Sequence, residues 1–184
     1  MKNIICTWGC IYFSVSSFAQ QYSMLITDSI AKLKSCDSLI VWDRDKKIAF
    51  ADFQGVPDMK SIGNAGTAYD IVPIYNPDSP LIAHVVCYFI KKKSWIKKQI
   101  SDSNTIIHEQ GHFDIGEIYA RKFERKIANM KIQHDSIDWG IYYIKLNILR
   151  ELDRFQDKYD NETNHSINKT KQIEWNNKIK KMLQ

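Results

Sequence analysis

Two histidines four residues apart, with a glutamate directly after the first, are the residues whose types and spacing most directly specify chemistry: His108-Glu109-Gln110-Gly111-His112. On an α-helix, positions i and i+4 differ by about 40° in direction and one turn in height, so both imidazoles reach a single metal ion. Glu109 projects beside that pair without aligning with it. A helix presents two zinc ligands in this way while a carboxylate addresses the water. Catalytic zinc requires a third protein ligand and an open position. The metal then brings the pKa of water toward ~7 and polarises a carbonyl, and Glu109 carries the proton to the leaving amine. The expectation is one Zn2+ per chain.

Several side chains compete for the third ligand position. Glu117 lies five residues past His112, about 140° round the helix, and does not share the metal on an unbroken helix. Glu151, on a following helix, suits a site completed by a glutamate, and His165 lies in a polar break outside the helices, with Asp160 behind both. Tyr159 is a candidate hydrogen-bond donor to a developing oxyanion. Asp114 and Asp160 are candidate acceptors for the imidazole N–H groups. Gly111, between the ligands, permits close approach of another chain segment at about 1 kcal/mol of helix propensity. His84 and His134 read as structural or exposed.

The surrounding elements must hold that helix. Leu39-Ile40-Val41-Trp42, the segment 47–53, and the β-rich runs 67–75 and 81–90 read as strands, the last two split by Asn76-Pro77-Asp78-Ser79-Pro80. Residues 23–35 read as a short helix or a loose entry segment. Asp102-Ser103-Asn104-Thr105 offers N-caps to a proline-free helix over 105–131, with Ile107, Ile115, Ile118, Phe123 and Ile127 on its apolar face. Further helices are expected over 137–158 and 167–183, separated by a break at Asp160-Asn161-Glu162-Thr163-Asn164. Strands followed by helices imply an α+β domain: an N-terminal antiparallel or mixed sheet, then a helical half carrying the metal helix.

Composition bounds the rest. A chain of 184 residues, 44% hydrophobic and 26% charged, fits one globular domain. The net charge of +5 is too small and too scattered to indicate a nucleic-acid partner. Residues 1–19 read as a secretory signal peptide: Lys2, an uncharged apolar run over 4–15, then Ser17-Phe18-Ala19 before a cut preceding Gln20. The apolar run is shorter than the ~20 residues that span a bilayer. The expected products are a single domain over 20–184 and a secreted or periplasmic location. Cys36 and Cys87 then remain, open to pairing or to two reduced thiols. The lysines at 91–93, 97 and 98 around Trp95, and Lys178, Lys180 and Lys181, read as a solvated face, with weak contact to an anionic envelope or membrane surface as the alternative.

The pieces of the chain resemble a bacterial family, the predicted secreted zinc-dependent proteases grouped as domain of unknown function 922. The resemblance runs through Asp52-Phe53-Gln54-Gly55-Val56-Pro57-Asp58, Ser94-Trp95-Ile96, the helix His108-Glu109-Gln110-Gly111-His112-Phe113-Asp114-Ile115 with Glu117 and Tyr119-Ala120-Arg121, then Tyr159-Asp160, Thr163, His165, Gln172 and Trp175. It implies a zincin-like fold and a histidine ligand at His165. The family tends to have Gly after that histidine, where this chain has Ser166. The expected function is a zinc metallopeptidase acting on a peptide or protein substrate, with Glu109 as general base. Two alternatives share the metal: a non-catalytic exported zinc-binding envelope protein, and a metal-dependent amidase of cell-wall peptides.

Overall fold

Helix α2, Ser103–Ala128, is the beam on which the rest is assembled. Its first turn is capped by Asp102, whose side chain accepts from the Asn104 amide. Gly111, Phe113, Ile115, Ile118, Phe123 and Ile127 are all buried, so the helix is enclosed on most sides instead of being half-exposed. Ile107, expected on its apolar face, is 43% exposed.

The computed structural model describes residues 9–76, 81–97, 102–130 and 136–184, and the side chains of these apart from 9–19 and 21. In chain order the elements are α1 (Gly9–Lys34), β1 (Leu39–Val41), a 3-10 turn (Phe50–Asp52), β2 (Ala65–Gly66), β3 (Tyr69–Tyr75), β4 (Ala83–Ile90), β5 (Trp95–Ile96), α2, α3 (Ile137–Thr163) and α4 (Lys169–Met182). The fold is α+β. A three-stranded antiparallel sheet has the order β1-β4-β3, with Leu39 opposite Ile90 and Tyr69 opposite Phe89. β2 and β5 form a separate two-residue ladder, Ala65 opposite Ile96 and Gly66 opposite Trp95.

The sheet packs on α2 through Phe89, whose ring meets Phe53 edge-on at 5.3 Å and Phe113 at 5.8 Å. α3 and α4 cover the other side of α2 through Ile148, Leu152, Tyr159, Trp175 and Ile179, all buried. α1 runs past the sheet, and Tyr22 ties it there by donating its hydroxyl to the Ile74 carbonyl at 2.7 Å.

Two expectations are corrected. Segment 47–53 is not a strand: its amides find side-chain acceptors instead of a ladder, Ile48 N donating to Gln110 Oε1 and Ala49 N to Asp52 Oδ2. The break at 160–164 lies later, because α3 continues to Thr163 and ends at Asn164 in the left-handed conformation. Residues 23–35, read as a short helix or a loose entry segment, take the helical alternative as far as Lys34, within a longer α1. Residues 1–8 of the expected signal peptide, 77–80 of the expected turn, Lys98 and His134 lie outside the described residues. Cys36 and Cys87 are both free thiols, Cys87 buried in the core. Among the described residues no helix is long and apolar enough to cross a membrane.

Candidate metal centre

The local reason for the site is that α2 and α3 cross at their polar turns. α2 contributes His108, Glu109 and His112, of which His108 and Glu109 are only 3% and 4% exposed. α3 contributes Gln156, Tyr159, Asp160 and Thr163, spaced i, i+3, i+4, i+7, so that one face of its last two turns addresses α2. That face exists only because α3 does not break at Asp160.

Three acceptor atoms converge between the helices. His108 Nε2 and His112 Nε2 stand 3.1 Å apart, and Asp160 Oδ1 lies 3.0 Å from each. The far nitrogens are held by glutamine amides, His108 Nδ1 against Gln172 Oε1 at 3.0 Å and His112 Nδ1 against Gln156 Oε1 at 2.7 Å. The direction of both bonds follows from the network. Gln156 Nε2 donates to the His112 carbonyl at 3.0 Å, so its oxygen is the atom that faces the ring. Tyr159 donates its hydroxyl to the His108 carbonyl, and its oxygen therefore accepts from Gln172 Nε2. Both rings thus carry hydrogen on Nδ1, and both Nε2 lone pairs aim at the Asp160 carboxylate.

Three lone-pair-bearing atoms at 3.0–3.1 Å from one another repel unless a cation sits among them. A tetrahedral zinc ion with bonds of about 2.0–2.2 Å holds its ligand atoms roughly 3.3 Å apart, close to that spacing. Two imidazoles and one carboxylate are also a donor set that zinc accepts. The residues present fit the group. His108, Glu109 and His112 also bring their ligand-type atoms within 4.8 Å of one another. Glu109 Oε2, however, accepts from Thr67 Oγ1 at 2.7 Å, which turns its carboxylate to the side of the triangle.

Without metal, a proton takes the cation's place. Burial disfavours charge on His112, but its hydrogen bond to Asp160 and the nearby Glu109 and Asp160 carboxylates outweigh that and push its pKa up to about 8. Burial alone raises Asp160, and the two imidazoles overturn this, holding its carboxyl well below the usual range. A divalent ion must displace the proton on His112. Metal affinity is therefore expected to fall about tenfold per pH unit below 8 and to level off above it, as titrations at several pH values will show.

The expected third ligands are placed differently from one another. Asp160 is in the triangle. His165 lines the same cleft, its Nδ1 3.7 Å from Asp160 Oδ1. Glu151 is elsewhere, its carboxylate taken by Lys122 and Lys126. Tyr159 does not reach the cleft: it is fully buried, stacked on the His108 ring at 4.7 Å and 16°. Its hydroxyl is spent on His108 O and Gln172, which leaves no donor facing the cleft. Asp114 holds Trp42 Nε1 and Gln110 Nε2, not an imidazole. Sequence reasoning missed Gln156 and Thr67. Only the i, i+3, i+4, i+7 run on α3 could have pointed to Gln156, and Thr67 carried no local signal.

The triangle forms one wall of a cleft of about 440 Å³. The segment Ser61–Thr67, Trp95, His165 and Ser166 also line it. Much of the basic run beside Trp95 is already engaged: Lys91 pairs with Asp52 at 3.1 Å and Lys97 donates to Ser61 O. The α3–α4 turn is strained, with Asn164, His165 and Ser166 at φ 47°, 48° and 75°. Ser166, standing where the resemblance expects Gly, is the third of these. Ser166→Gly is expected to stabilise the chain by about 1 kcal/mol, read as a higher denaturation midpoint with unchanged m-value.

Residues 92–166 match the family model described as a bacterial protein of unknown function, DUF922. This stretch runs from the turn before β5 through α2 and α3 to the α3–α4 turn, and so contains His108, Glu109, His112, Gln156, Tyr159, Asp160 and His165. Asp52–Asp58, Gln172 and Trp175, which the sequence resemblance also drew on, lie outside it. Thr67 does too. No curated protein and no solved structure matches the chain.

Proposed function

We propose that the chain is an exported zinc-dependent metallopeptidase that hydrolyses peptide bonds of a peptide or protein substrate. The observation that supports this most is the convergence of two imidazole Nε2 atoms and one carboxylate oxygen beside a second, buried carboxylate, on the wall of an open cleft. His108, His112 and Asp160 would hold the zinc, and His165, the ligand expected from the sequence, is the competitor for the third place. When bound, the metal supplies Lewis acidity, which acidifies water and polarises the scissile carbonyl.

The chain's own residues do the rest. Gln156 and Gln172 fix the imidazole tautomers, and Tyr159 stacks His108 in place. Thr67 aims Glu109. The Glu109 carboxylate accepts a proton from the attacking water as the O–C bond forms, and returns it to the amide nitrogen as the C–N bond breaks, giving a free carboxylate and an amine. The segment 61–67, which lines the same cleft, would flank a substrate chain. An amidase of cell-wall peptides would use the same steps on another substrate.

The competing reading is a non-catalytic zinc-binding envelope protein. The proximity of His165 to Asp160 favours it, since four protein ligands would leave no place for water. Zinc content of Asp160→Ala and His165→Ala tests both. Loss of zinc affinity of about 100-fold in the first and under tenfold in the second is expected. It should be accompanied by peptide cleavage that a chelator stops and zinc restores. The reverse ranking moves the third ligand to His165. Equal losses in both variants with no cleavage by the zinc-loaded chain defeat the enzyme reading.

A further inference from the structure

A second concavity lies on the opposite face of the same turns of α2. It occupies about 510 Å³ between the loop after β1, the first half of α2 and the last turns of α4, within the range of small-molecule sites. Its apolar lining is Trp42, Ile48, Ile106, Ile107, Ile179 and Leu183. Three cationic side chains also line it, Arg44, Lys47 and Lys180, against one acidic side chain, Asp114, and Gln184, the last residue of the sequence, lines it as well. That acid is already satisfied by Trp42 Nε1, Gln110 Nε2 and Lys47. Arg44 spends one nitrogen on the Leu183 carbonyl and has others to offer.

The polar groups decide what fits. A peptide laid in this groove would need partners for its backbone amides and carbonyls. The groove has few uncharged ones to give: Gln110 is taken by Ile48 N and Asp114, and Asn176 Oδ1 accepts from Gln172, which leaves Asn176 Nδ2 and the Gln184 amide. An alkyl chain makes no such demand, and the unbalanced positive charge calls for an anionic head. From the groove's apolar walls, spent polar groups and cationic margin, we infer that it binds a single-chain anionic amphiphile, a free long-chain carboxylate, independently of the metal centre.

Laurate below its micelle concentration, titrated into the full chain, tests this by calorimetry and by the fluorescence of Trp42. One saturable site is expected, with the fluorescence response lost in Trp42→Phe. Ile107→Asp changes a half-exposed side chain and so leaves the fold intact. It should weaken laurate at least tenfold, and Arg44→Ala with Lys180→Ala roughly fivefold. Dodecyltrimethylammonium should bind at least tenfold more weakly than laurate, and His108→Ala should leave laurate unaffected. Absence of saturable binding, equal affinity for the cationic amphiphile, indifference to Ile107→Asp, or loss of binding in His108→Ala each overturns the inference. So does an apolar peptide that saturates the groove where laurate does not.

Discussion

On the proposed function, Glu109→Gln is expected to leave a folded, zinc-loaded chain whose peptide turnover is lower by roughly 10²–10⁴-fold. The substitution changes almost nothing except the ability to take a proton. Glu109 is 4% exposed and its Oε2 accepts from Thr67 Oγ1. A glutamine has the same shape, and its carbonyl oxygen accepts the same bond while its NH2 faces the cleft. Because the three convergent acceptors are His108 Nε2, His112 Nε2 and Asp160 Oδ1, the metal loses no ligand. Removing a buried carboxylate also leaves stability the same or slightly higher. Three readings on one preparation check it: zinc per chain unchanged, melting temperature unchanged or raised, turnover lost. Full turnover in this variant would end the proposed proton path even if zinc is bound as expected.

What the sequence made legible is what short-range spacing encodes. The i, i+4 histidines and the glutamate between them need only a helix, and the N-cap run at 102–105 announced one. The site's other half was obscured because it depends on contacts distant in sequence. Asp160-Asn161-Glu162-Thr163 reads as a polar break, yet it stays helical. Asp160 is held by two imidazoles, and Thr163 Oγ1 bonds back to the Tyr159 carbonyl at 2.7 Å. Tertiary partners there override a composition that favours loops. The misread strand at 47–53 has the same origin, since Ile48 is buried like a strand residue while its amide bonds a glutamine 62 positions away. Strands of two residues, such as β2 and β5, carry no period at all, although β2 lines the same cleft as the triangle.

Gly111→Ala measures how tightly the two halves are joined. In an isolated helix the change would stabilise by about 1 kcal/mol. Here the new Cβ would stand 2.2 Å from the Tyr159 hydroxyl oxygen and 2.7 Å from its Cζ. Tyr159 has nowhere to retreat. Its ring is stacked on His108, edge-on to His112 and edge-on to Trp175 at 5.3 Å, and its hydroxyl holds the His108 carbonyl and Gln172. Either α3 shifts from α2 or the ring leaves its stack, and both move Asp160 or His108 out of the triangle. A net loss of about 3 kcal/mol is expected, a fall of roughly 6–12 °C in melting temperature, together with weaker zinc binding. Tyr159→Phe removes the atom that clashes hardest, so the double variant should be no less stable than Gly111→Ala alone, a coupling of about 1 kcal/mol or more in the mutant cycle. If alanine instead raises the melting temperature, the close approach of α3 to α2 is wrong, and with it the placement of Asp160 against the two histidines.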